Sequence, residues 1–149
     1  MDRSDQAASL FREGYNCAQA VLLAFADVLS IDKKTAAMLS SSFGGGMGRL
    51  REVCGAVSSM FLIAGLVKGY DRPDDDEAKA AHYQLIQTLA YKFKEENGSI
   101  ICRELLGLAE GADFFMPAKR TESYYADRPC EKLVADAAEI MENYLRELR

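Results

Sequence analysis

Four glycines fall within five residues, at Gly44, Gly45, Gly46 and Gly48. No other stretch restricts the fold as much. Glycine gives up more backbone freedom on ordering than any other residue, so this density does not belong in a helix or strand interior. The block reads as a tight turn with positive φ and close backbone approach. Directly after it, residues 53–69 are mostly apolar and read as a buried helix over 52–68, stopped by Gly69. Cys54 falls near the first turn of that helix. Unpaired N–H groups and the positive end of the macrodipole favour a thiolate there. Cys54 is therefore the leading candidate for the chemistry.

The rest of the chain has a helical period throughout, and no stretch alternates strictly between apolar and polar as a half-buried strand would. A helix is expected over 4–13, capped by Asp2 or Ser4, with Leu10 and Phe11 inward. Gly14 interrupts it. Either Asn16 caps a second, strongly apolar helix through Leu29, or one long helix tolerates Gly14 at about 1 kcal/mol. Asp32 caps a helix over 33–42 that offers Ala36, Met38 and Leu39 to the core. The 52–68 helix offers Val53, Val57, Met60, Phe61, Ala64 and Leu66. A long helix over 75–97 follows an acidic start, and Asn97-Gly98 ends it. Ser99 caps a short helix over 100–106. Residues 108–126 read as a loop or lid. A last helix starts at Asp127 or Arg128, with Pro129 in its first turn, and runs to the C-terminus. The expectation is an all-α, single-domain compact bundle of about five or six helices spanning 1–149.

A chain of 149 residues can bury a core without disulfide staples. Its net charge of -5 argues against nucleic acid as a partner. No segment reaches the ~18 uninterrupted apolar residues of a membrane span. The first residues lack the charged-then-apolar pattern of a signal peptide, so a cytoplasmic location is expected. In such a compartment the four cysteines read as thiols, metal ligands or redox groups rather than structural disulfides.

Those cysteines share one kind of place. Cys17 follows Gly14-Tyr-Asn, Cys54 the glycine block, Cys102 Asn97-Gly-Ser, and Cys130 Asp127-Arg-Pro. Each lies within a few residues of a helix start, where a thiolate is favoured. If the helix ends converge, they form a thiolate pocket ringed by backbone donors. Such a pocket suits a metal, an iron–sulfur cluster or dithiol–disulfide exchange. Packing alone is the plain alternative, because free cysteine is often simply buried. There is no C-x-x-C pair of the thioredoxin or zinc-ribbon kind.

Gly14-Tyr-Asn-Cys17-Ala-Gln-Ala, Gly44-Gly-Gly-Met-Gly48, Cys54-Gly-Ala, Cys102-Arg-Glu-Leu-Leu-Gly107 and Cys130 together resemble the C-GCAxxG-C-C family of redox-active proteins, over nearly the whole chain. The resemblance implies that Cys17, Cys54, Cys102 and Cys130 are the redox or metal-ligating residues. A related domain in split-Soret cytochromes implies electron transfer as a context. Covalent haem is not expected, since there is no C-x-x-C-H and only one histidine. One position departs from the pattern. Ser59 stands where the motif C-G-A-x-x-G has its second glycine, so close helix approach at that point is in question.

Two versions of a redox function follow. The four cysteines ligate an iron–sulfur cluster or other thiolate-bound metal, or Cys54 and a partner cycle between dithiol and disulfide. Gly44, Gly45, Gly46, Gly48 and Gly55 then lie against the cofactor or its sulfurs. Oxidoreductase and electron carrier both remain open, as do a redox partner protein and a homodimer. The rival is a binding or structural module with packed or zinc-bound cysteines. A further alternative makes the glycine block an anion site assisted by Arg49 or Arg51. His82, the only histidine, reads as a satisfied boundary residue or a reserve metal ligand.

Overall fold

A computed structural model describes residues 2–108 and 115–148. Eight right-handed α-helices are present among them, rather than five or six: α1 (Arg3–Arg12), α2 (Cys17–Leu23), α3 (Lys33–Ser40), α4 (Gly55–Lys68), α5 (Asp76–Asn97), α6 (Cys102–Leu105), α7 (Glu122–Asp127) and α8 (Cys130–Glu147). The count rises because the region between α1 and α3 is broken by Gly14 and because 122–127 folds into a turn and a half of helix. Residues 109–114 of the expected loop or lid lie outside the described residues.

Short polar side chains start most helices, as local chemistry dictates. Asp2 accepts from the Asp5 N–H, Asp32 from Thr35 and Asp75 from Ala78. Asn16 and Gln19 form a reciprocal capping box, which settles the alternatives at Gly14 in favour of two helices. Ser99 Oγ accepts from the Ile101 N–H and donates to Glu104 at 2.6 Å, holding the start of α6.

One core joins the helices. The tightest packing sets α1 against α8 and α2 against α4. The α8 helix buries Leu133, Val134, Ala137, Ala138, Ile140, Met141 and Tyr144, a stripe at spacings of three and four. From Gly55 to Met60, α4 is buried on every side. Some expected core residues face outward. Met38, Leu39 and Leu66 are exposed. The short α3 turns only Ala36 and Ser40, one turn apart, fully inward, which leaves Met38 on the opposite side and Leu39 on the exposed flank.

One feature is not helical. Residues 51–54 and 100–103 run antiparallel, joined at an isolated Val53–Ile101 bridge. The Cys54 N–H donates to the Ile100 carbonyl at 2.8 Å and the Cys102 N–H to the Glu52 carbonyl at 2.6 Å. This clamp sets the starts of α4 and α6 side by side, and two cysteines with them.

Candidate functional site: a four-cysteine cavity

All four cysteines stand at a helix start. Cys54 is the N-cap of α4, and Cys17, Cys102 and Cys130 are the first residues of α2, α6 and α8. The four helix ends converge, which the shared placement in sequence left open, and all four side chains line one cavity of about 260 Å3. Cys54 and Cys102 are buried, while Cys17 and Cys130 are partly exposed.

Part of the cavity wall is the glycine block, and it has an unusual backbone. Gly45, Gly46, Met47, Gly48 and Arg49 all have φ between 61° and 69°, and Arg51 has 62°. This is a turn of left-handed helix. The Gly48 N–H returns to the Gly44 carbonyl and the Glu52 N–H to the Gly46 carbonyl at 2.9 Å. Left-handed residues normally occur singly, because Cβ crowds the following carbonyl at about 1–2 kcal/mol per residue. Three glycines of the run escape that cost, but Met47, Arg49 and Arg51 do not. Strain of this kind persists only where surrounding structure holds it, and it clusters at functional sites.

Glycine is required at several of these points for closeness as well as for φ. A Cβ on Gly46 would stand 2.6 Å from Cys102 Cβ and 2.9 Å from Arg51 Cα. A Cβ on Gly55 would stand 2.6 Å from Cys17 Sγ. The gain is access of N–H groups to sulfur. The N–H groups of Gly45, Ala18 and Gly55 point at the Cys17 sulfur, and those of Ala56 and Val57 at Cys54.

These donors favour thiolates, as expected for helix starts, yet they do not prevail. Burial raises the Cys17 thiol above its ordinary value despite them. Burial, then the neighbouring Cys17, raises Cys54 well above its own. Cys130 is pushed up to about 12, first by burial and then by Cys17 and Cys102, against Arg128 and Arg51. The expectation of lowered cysteine pKa values is thus corrected for these three. Desolvation in the cavity outweighs the donors at the helix ends.

Four arginines, Arg49, Arg51, Arg120 and Arg128, also line the cavity. Arg51 is only 2% exposed, and its Nη1 donates to Cys102 Sγ at 3.5 Å. Arg120 donates to the Phe11 carbonyl at 2.9 Å and the Tyr15 carbonyl at 3.0 Å, and its guanidinium lies 4.3 Å over the Phe11 ring. Only Arg49 and Arg51 of this group were singled out from sequence. Arg120 and Arg128 lie far off in the chain, and nothing in their local pattern marks them.

Ser59, the departure from the motif, is fully buried, and its Oγ donates to the Ala18 carbonyl at 2.5 Å. The serine therefore ties α4 to α2 one residue beyond Cys17. His82 does not line the cavity. It sits on α5 with its ring centroid 6.0 Å from that of Tyr70, which does not place it as a reserve ligand. Among the described residues, no three His, Cys, Asp or Glu side chains are grouped closely enough to hold a metal ion as they stand. What the thiols share is a cavity rather than a point. Among the described residues, no helix is long and apolar enough to cross a membrane.

No curated protein and no solved structure matches the chain. A family model does, over residues 15–144, from just before Cys17 to beyond Cys130. The chain belongs to the family described as "Putative redox-active protein (C_GCAxxG_C_C)".

Proposed function

We propose that Cys17, Cys54, Cys102 and Cys130 hold an iron–sulfur cluster in their shared cavity and that the protein is an electron carrier. The observation that carries this reading is the convergence of four helix-start cysteines, far apart in sequence, on one cavity of about 260 Å3. The donor set is all sulfur, which suits such a cluster. When bound, a cluster supplies one-electron transfer. The chain's own part is to fix the sulfurs and aim N–H groups at them. Gly45 and Gly55 do so at Cys17, and hydrogen bonds to cluster sulfurs tune potential. Gly44, Gly46 and Gly48 shape the turn that brings this backbone close. Arg51 and Arg128 supply positive charge beside Cys102 and Cys130.

Thiol–disulfide exchange is the second reading. It is favoured by the seating of the Cys17 sulfur against Gly55, the neighbour of Cys54. It ranks second because the attacking species is the thiolate, and burial holds both of these thiols protonated.

The test is the visible spectrum, with iron and sulfide analysis, of protein purified without oxygen. A brown protein with charge-transfer absorption and about two or four irons per site, with equal sulfide, supports the cluster. A colourless, metal-free protein sinks it. Free thiols counted before and after reduction then decide the second reading.

A further inference from the structure

We propose that Arg51 is a positioning residue whose buried guanidinium, held against Cys102 by the left-handed turn, raises the reduction potential of the four-cysteine site. The inference rests on the redox reading above and adds a residue to it. An arginine is among the least suitable residues for this position on packing grounds alone. It is almost fully buried, in a backbone conformation that glycine would adopt without strain. The structure nevertheless fixes it on both sides. Its N–H donates to the Gly45 carbonyl at 3.3 Å, and its own carbonyl accepts from the Arg103 N–H at 3.2 Å and from Arg103 Nη1 at 3.3 Å. Gly46, by lacking a Cβ, lets Arg51 Cα and the Cys102 side chain pass each other. The guanidinium then ends at the Cys102 sulfur, in the cavity wall.

The consequence is electrostatic. Reduction by one electron adds one unit of negative charge to the four-sulfur centre, with no bond made or broken. The electron comes from a one-electron reductant, dithionite in the test below. A fixed cation stabilises the reduced form more than the oxidised form, and salt screens such a buried charge poorly. The potential is therefore higher with Arg51 than without it.

The experiment is a dithionite titration of anaerobically purified wild type, Arg51→Gly and Arg51→Lys, followed in the visible spectrum, with urea midpoints measured on the same samples. Arg51→Gly removes the charge and relaxes the backbone but leaves a cavity where the buried side chain stood, so the urea midpoint is read beside the potential to show that the variant is folded. Its potential should fall by a tenfold or greater change in the oxidised-to-reduced ratio, 59 mV for one electron. Arg51→Lys should recover part of that shift. A Gly variant with unchanged potential overturns the proposal and leaves the cluster reading standing. If the wild type is colourless, the cluster reading fails. A colourless wild type with no one-electron couple overturns the proposal as well.

Discussion

Replacing Gly46 by alanine separates two reasons for a glycine, and Gly98 supplies the control. Both positions have positive φ, 69° at Gly46 and 88° at Gly98. Around Gly98 a new Cβ meets nothing within 4 Å. Gly98→Ala therefore loses only the backbone term, about 1–2 kcal/mol. At Gly46 the Cβ would meet Cys102 Cβ at 2.6 Å, Arg51 Cα at 2.9 Å and the Glu52 nitrogen at 2.9 Å. Two of those atoms are backbone and cannot swing aside, so overpacking adds about 1–3 kcal/mol. The expected loss for Gly46→Ala is thus about 2–5 kcal/mol. For a chain of this size each kcal/mol moves the thermal midpoint by about 2–4 °C. Gly98→Ala should fall by about 2–8 °C and Gly46→Ala by about 4–20 °C. Urea unfolding at constant slope checks that the difference is stability and not a change in the unfolded state. Equal losses in the two variants would refute the argument that the turn is packed against Cys102.

Ser59→Ala should lose about 1 kcal/mol, the worth of a buried hydrogen bond, and Ser59→Gly about 1 kcal/mol more through helix propensity; urea midpoints decide. The unliganded protein should lose stability as pH rises from about 9 towards 12. The unfolded chain releases its thiol protons near 9.0 while folded Cys130 holds its own to about 12. The folded state therefore binds more protons across that window, and each step up in pH favours unfolding. Urea midpoints at pH 8, 9.5 and 11 that do not fall would contradict the placement of the thiols. Arg120→Ala removes a charged donor from two carbonyls and three aromatic rings, a loss of about 1.5–3 kcal/mol. If that loosening is local, iodoacetamide should alkylate the cavity cysteines about tenfold faster or more, since 1.4 kcal/mol of easier opening is a factor of ten.

Helix starts were legible because they are local. Asp2, Asn16, Asp32 and Asp75 each act within three residues, and a sequence window contains the whole interaction. The common position of the cysteines at helix starts was legible for the same reason, whereas their convergence was not, because it depends on how the helices pack. Nor was the sign of their pKa shifts. Helix-end donors are local to each cysteine, whereas burial is supplied by the other three helices and by Phe11, Leu133 and the arginines of the cavity. The inward faces of short helices were misjudged on similar grounds. An eight-residue helix such as α3 presents several apolar residues, and only its neighbours decide that Ala36 rather than Met38 is buried.

The glycine block shows where local reading stops and why. Four glycines announced positive φ, but not that Met47, Arg49 and Arg51 would share it. A left-handed turn carrying three side chains is unfavourable by itself. It is held by the clamp between 51–54 and 100–103, whose two halves are separated by the whole of α4 and α5. The same clamp places Cys54 beside Cys102. Strain in the turn and juxtaposition of the cysteines therefore share one cause. Relaxing the turn at Arg51 with glycine need not release the cysteines, because the Cys54–Ile100 and Cys102–Glu52 bonds remain. That independence is what allows the charge of Arg51 to be removed without dismantling the site it faces.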